Sequence, residues 1–181
     1  MSMYDQFTER EQGILLERRA QRISGERSGV QAGEIGTALT ATIREEKYAL
    51  PVDMLTYVHI NLPVIPMPCV PPYVAGIANI RGHIIPVLDL SVLLNVPGAS
   101  NPDKDTTLIV ASNSDIIVAF RVEIIGDITT FLVDDVASVA SAVESERGGA
   151  YLQGILPSGE TLLDVDTILG DPELTISESI T

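Results

Sequence analysis

The chain has 181 residues, 25 acidic and 11 basic, for a formal net charge of −14; 45% are hydrophobic, 4% are aromatic and tryptophan is absent. This length suits one globular domain, or two very small ones sharing a core, and the apolar fraction excludes a disordered chain. The acidity excludes nucleic acid and an anionic membrane as partners, because affinity for either rests on lysine and arginine.

Residues 1–36 stand apart as an N-terminal arm. They hold five of the nine arginines (Arg10, Arg18, Arg19, Arg22, Arg27) against six acidic residues, so the acidity belongs to the remainder. A helix is predicted from Gln6 to Ile23. Phe7, Ile14, Leu15 and Ile23 supply an apolar stripe to which Ala20 adds, Thr8 and Glu11 form a capping box, and Gly25, Ser28 and Gly29 end it. Such a helix serves either as a solvated arm or as a partner-docking element. The chain opens Met-Ser-Met-Tyr-Asp-Gln, without a basic start or an apolar run, so the cytoplasm is the expected location.

From Gly36 the pattern is mainly β. Strands are expected at Thr37–Arg44 and Lys47–Val52, a short one at Val64–Met67, and a helical turn at Pro71–Val74. Gly76–Arg81 and His83–Leu90 form a strand pair, followed by a brief helix at Leu90–Val96 and a polar loop at 97–105. Leu108–Ser112 and Asp115–Val122 form a hairpin through Asn113 and Ser114. One long or two short strands follow at Ile128–Val139, then a loop at 142–149. Tyr151–Leu156 and Glu160–Leu163 pair, Asp164 caps a short helix to Leu169, and a loose tail follows. This gives a β body over residues 37–170 and a tail over 171–181. Around ten short strands with tight turns indicate barrels or a sandwich. No repeat occurs at the periods that mark a solenoid.

Met54 to Ile80 contains no charged residue, long enough to span a bilayer. Pro63, Pro66, Pro68, Pro71 and Pro72 break any helix there, so direct membrane insertion is not expected. Cys69, the single cysteine, reads as a small buried hydrophobe among prolines. With two histidines, His59 and His83, and one cysteine, cysteine-based zinc sites are excluded. Phosphate loops, nucleophile elbows and dinucleotide fingerprints are absent. Asp134 and Asp135, adjacent on a strand, would point to opposite faces and not converge. No catalytic residue, metal site or cofactor is expected.

One cation interrupts the apolar centre: Arg81, alone between Lys47 and Lys104. It either pairs with one of the many acids or offers an exposed donor fork to a partner. Gly76 and Gly82 bracket its strand, where backbone approaches closely or φ turns positive.

The segment Gly76-Ile77-Ala78-Asn79-Ile80-Arg81-Gly82, followed by Ile84-Ile85-Pro86-Val87-Leu88-Asp89-Leu90, resembles the signature of the CheW-like coupling proteins of bacterial chemotaxis. The likeness extends to Tyr48 in its strand, to Val118–Glu123, to Tyr151–Ile155 and to Leu162–Leu169, covering residues 36 to 170. It implies two intertwined SH3-like five-stranded β-barrels around a shared core, with short helices and the helical arm outside. It also implies a non-enzymatic adaptor linking a chemoreceptor signalling domain to the regulatory domain of a histidine kinase, in the cytoplasm at receptor arrays. The interface it implies contains Arg81, Ile80, Val58, Tyr57 and Val87, with Gly76, Gly82 and Asn79 shaping turns. The chain departs from the family at Tyr57 and His59, where a charged pair is usual, at Glu123 for Asp, at Ala119 for Gly, and at Arg121 for an apolar residue. The alternative activities are a response-regulator phosphatase, whose nearest constellation is Glu17 with Gln21, and a barrel that binds a small apolar ligand.

Overall fold

Short runs of β-branched and small apolar residues, broken by glycine, proline and asparagine, give this chain ten strands in the computed structural model, which describes residues 33–98, 107–139 and 147–174. They are β1 (Ile35–Ile43), β2 (Glu46–Pro51), β3 (Leu55–His59), β4 (Val74–Ile80), β5 (His83–Asp89), β6 (Thr107–Ser112), β7 (Ile117–Val122), β8 (Ile124–Leu132), β9 (Leu152–Ile155) and β10 (Thr161–Leu163). Two short helices follow β5 and β10: α1 (Leu90–Leu93) and α2 (Val165–Gly170). The expected helix at 6–23 and the tail from 175 lie outside the described residues.

The strands form two five-stranded sheets, ordered β8-β1-β2-β10-β9 and β3-β6-β7-β5-β4. Each sheet has one parallel pair, β2 with β10 and β5 with β7; the other neighbours are antiparallel. The β1–β8 ladder runs from Ile35 opposite Leu132 to Thr42 opposite Ile124, with a bulge between Leu39 and Ala41.

Central strands are apolar on both faces because both faces are covered. On β7, Val118, Phe120 and Val122 pack into a cluster shared by the two sheets, while Ala119 points into the second sheet's own interior. On β6, Ile109 and Ala111 enter the shared cluster, and Leu108 and Val110 the interior. The first sheet repeats this: Leu39, Ala41, Ile43 and Leu50 join the shared cluster, whereas Ala38 and Ala49 sit with Leu156 and Leu162. Small residues in the interiors explain how so few aromatics suffice. Full burial of each larger aliphatic stabilises by roughly 1.5–3 kcal/mol. Residues 171–174 extend the packing: Leu174 is buried, and Tyr73 Oη donates to the carbonyl of Glu173 at 2.8 Å.

Several expectations need correction. Val64–Met67 is no strand: Ile65 makes a single bridge to Ile77, because Pro63, Pro66 and Pro68 deny the ladder its donors. Pro71–Val74 is a turn closed by the Val74 N–H on the Pro71 carbonyl at 2.9 Å, and Val74 opens β4. β8 starts at Ile124 rather than Ile128 and stops at Leu132. Asp134 and Asp135 lie in a 3-10 turn (Val133–Asp135), not on a strand. Cys69 is exposed with φ 60°, since flanking prolines hold its segment away from the sheets.

Gly76 is fixed by close approach. Its φ is 144°, and a Cβ there would lie 2.1 Å from the Ile65 carbonyl oxygen, inside the paired Ile65–Ile77 backbone hydrogen bonds of 2.8 and 2.9 Å. Gly76→Ala is expected to lower unfolding free energy by about 2–4 kcal/mol in urea titration. Gly170→Ala, at a position with open space, should stay within about 1 kcal/mol of the parent.

Candidate functional site

The β4–β5 hairpin ends in a two-residue turn. Arg81 and Gly82 have φ of 53° and 88°, the pattern of a type I′ turn, whose twist matches that of the flanking strands. Asn79 Oδ1 accepts the Gly82 N–H at 2.9 Å, which holds the turn closed above the Ile80–His83 pair. A left-handed conformation is uncommon for arginine, and here the two-residue turn imposes it. Arg81 is exposed, and its Cζ stands 4.9 Å from the centroid of the Tyr57 ring, a cation–π contact. Tyr57 is half-buried against the interior of the second sheet, and its ring lies 6.1 Å from that of His59, two residues along β3.

Of the expected interface residues, the structure brings Tyr57 and Arg81 together. Val58 lies on the opposite, outer face of β3 and is exposed. Ile80 and Val87 are corrected: both are buried, Val87 fully, among Ala78, Ile85, Leu108, Val110 and Ala119. They support the hairpin from inside rather than lining its outer surface. Gly76, Gly82 and Asn79 have the turn and close-approach roles expected of them.

Sequence reasoning missed exposed apolar side chains on this hairpin and in the segment between β3 and β4. Ile60 is 69% exposed and Ile84 61%, with Ile65 and Met67 also exposed. The period of two along β5 contained the signal: with Ile85 and Val87 inward, Ile84 faces out. The doublet Ile84-Ile85 hid the phase.

A second polar feature was also missed. Asp89 ends β5 and caps α1, accepting the Ser91 N–H at 2.9 Å and the Ser91 hydroxyl at 2.6 Å on Oδ1, while Oδ2 meets the Arg121 guanidinium. Parallel pairing of β5 with β7 sets Asp89 opposite Arg121. Ser91 Oγ in turn accepts from Arg44 Nη2 at 3.1 Å, so a chain of polar contacts runs from the β1–β2 turn of one sheet to β7 of the other. Burial alone would raise the Asp89 carboxyl. The Ser91 hydroxyl and Arg121 outweigh it and hold the group below the ordinary carboxylate value. The departure at Arg121 is therefore compensated inside the fold. Elsewhere, burial pushes the Tyr48 hydroxyl far up, helped by its hydrogen bond to Glu46 Oε2 at 2.6 Å and by that carboxylate's charge. A phenol so held stays protonated near neutrality and donates its hydrogen bond to the Glu46 carboxylate. Among the described residues, no group of three or more His, Cys, Asp and Glu is placed to hold a metal ion, and no helix is long and apolar enough to cross a membrane.

The model of the CheW-like domain family matches residues 37–173. Chemotaxis protein CheW of Thermotoga maritima is 29% identical over 153 residues, covering 78% of this chain and 91% of that one. Chemotaxis protein CheW of Treponema pallidum is 25% identical, covering 75% and 83%. The crystal structure of scaffolding protein TtCheW from Thermoanaerobacter tengcongensis superposes with a TM-score of 0.65 at 16% identity, over 77% of this chain and 96% of that one. The fold is that of paired SH3-like five-stranded barrels.

The Asp89 site yields a pH signature. A carboxylate with a depressed folded pKa contributes stability that is present above its unfolded pKa of about 3.9 and is lost as pH falls through the folded value. Asp89→Asn is expected to cost about 2–3 kcal/mol at pH 7, discounted because Arg121 is partly exposed. The gap between parent and variant should begin to narrow below about pH 4 and continue to shrink as pH falls toward the depressed folded value. Paired urea titrations from pH 3 to 7 check this.

Proposed function

Because the chain belongs to the CheW-like domain family, we propose that it is a non-catalytic chemosensory adaptor. It couples a chemoreceptor signalling domain to the regulatory domain of a histidine kinase, on the cytoplasmic side at receptor arrays. The observation that carries this reading is the β4–β5 tip. There a cation is held over the Tyr57 ring, with exposed Val58, Ile60 and Ile84 on the same barrel. Arginine beside aromatic and aliphatic surface is what protein interfaces favour.

The mechanism is geometric. One surface engages the receptor, another the kinase, and the shared core between barrels transmits the constraint. Coupling free energies of about 1–3 kcal/mol suffice for such a device. It needs no cofactor, metal, nucleic acid or membrane insertion. The small-ligand reading is disfavoured because each barrel interior is filled by its own side chains, Ile85, Val87, Leu108 and Val110 in one and Leu156 and Leu162 in the other. The Glu17–Gln21 constellation of the phosphatase reading lies outside the described residues.

Purified protein should capture both a receptor signalling domain and a kinase regulatory domain. Arg81→Glu should weaken at least one contact about tenfold, or ~1.4 kcal/mol, with unchanged circular dichroism. Ile84→Asp should do likewise. A parent protein that binds neither domain at about 50 µM, far weaker than the micromolar scale of such contacts, would overturn the proposal.

A further inference from the structure

The ordered body continues past α2. Asp171 leaves the helix in an extended conformation, its N–H still reaching the Ile168 carbonyl at 3.4 Å, and Pro172 has no N–H with which to prolong the helix. Asp171 then folds the chain back. Its Oδ1 accepts the Glu173 N–H at 2.8 Å and its carbonyl accepts the Leu174 N–H at 3.0 Å, the pairing by which an aspartate side chain imitates a backbone turn. The turn delivers Leu174, 8% exposed, into the cluster shared by the two sheets.

Two tyrosines hold this turn from different sheets. Tyr73 stands immediately before β4, in the second sheet, and its hydroxyl donates to the Glu173 carbonyl at 2.8 Å. Tyr151 stands immediately before β9, in the first sheet, and its hydroxyl donates to Asp171 Oδ2. Both rings pack in the shared cluster or against it.

The backbones of the same two residues fix the starts of both helices. The first half of the chain ends in α1 and the second in α2. The Tyr73 carbonyl accepts the Asp89 N–H and the Tyr151 carbonyl the Asp164 N–H, both at 2.8 Å. Asp89 caps α1 through the Ser91 N–H, and Asp164 caps α2 through the Thr167 N–H. One four-residue segment therefore grips, by their hydroxyls, two tyrosines whose carbonyls hold the two helix caps.

None of the ladders among the described residues includes residues 171–174. The segment is held by side chains instead, and such pieces open at lower free energy than strands in mid-sheet. We propose that residues 171–174 are a clasp that opens and closes as a unit. Closed, it ties the start of β4 to the start of β9 across the seam between the sheets. Open, it frees both tyrosine hydroxyls and loosens both helix caps while the ladders persist. Because β4 leads from Val74 to the turn at Arg81, closure also sets how firmly the base of that hairpin is held.

The test is amide hydrogen exchange of the whole nitrogen-15-labelled chain, read residue by residue by NMR between 0 and about 1 M urea. The amides of Glu173, Leu174, Asp89 and Asp164 should share one opening free energy and one shallow urea slope, since a small opening exposes little surface. Those of Ile109 and Phe120, on β6 and β7, should exchange about 100-fold more slowly, with the steep slope of global unfolding. Leu174→Ser should speed the four clasp-linked amides by one common factor of about ten. Tyr73→Phe keeps the leucine anchor and removes one hydroxyl. It should speed Asp164 as well as Asp89, about threefold, although it touches only the Asp89 side directly. Cap amides that follow the steep slope of the sheets, with Glu173 and Leu174 alone on the shallow one, would reduce the segment to a fraying end and overturn the proposal. So would a single steep slope for all six amides, or a Tyr73→Phe effect confined to Asp89. Should Leu174→Ser fail to fold, the parent slopes and Tyr73→Phe decide.

Discussion

The pairing of β1 with β8 and of β3 with β6 is the interaction on which the rest of this body rests. Without β8 the first hairpin presents an open edge, and without β3 the third does. The parallel pairs β2–β10 and β5–β7 then contribute Leu50, Leu163, Leu88 and Phe120 to the one buried cluster shared by the sheets. The shared cluster of Leu39, Ile43, Leu50, Leu88, Ile109, Phe120 and Leu163 draws on both halves and both sheets, so it forms only once the crossings are made. Such long-range pairings are slow to assemble, since loop closure comes before the contacts that reward it.

Asp89 shows what this topology does with a charge. It sits where β5 ends, α1 begins and β7 runs parallel, three demands that would leave an isolated carboxylate buried and uncompensated. Ser91 and Arg121 answer them, and Arg44 attaches the assembly to the turn of the other sheet. The equivalent position in the second half, Asp164, keeps the cap but is followed by exposed residues at Asp166 and Thr167. The two halves thus share a backbone device and differ in whether charge bridges the sheets.

Much of this was legible in the chain itself. Hairpins such as Gly76–Leu90 and Leu108–Val122 announce themselves by alternation and by Asn, Gly and Ser at the turns, and Asp164 announces a helix cap. The same signature at Asp89 was overlooked because it lay inside a longer apolar motif. Burial phase was harder. Ile80, Ile84, Ile85 and Val87 are chemically alike, and a shift of one residue exchanges surface for core. A resemblance supplies the strand but not its phase, so Ile80 and Val87 were expected outside while Ile84 was not. Cys69 misled for a related reason: apolar neighbours suggest burial only where the backbone can join a sheet, and the surrounding prolines prevent that.

For an adaptor, this construction has a mechanical consequence. A body whose sheets each contain strands from both halves cannot move one barrel freely against the other, because four ladders and a common core would have to shift together. A continuous run of contacts leads from the Arg81–Tyr57 tip along β5 to Asp89, and from there through Ser91 and Arg44 to the first sheet. Under the proposed function, rigidity of this kind would let one docked partner bias the position of another. The charge distribution agrees with that reading: a net charge of −14 discourages indiscriminate contact with other polyanions, and it sets the exposed cation at the hairpin tip apart from its surroundings.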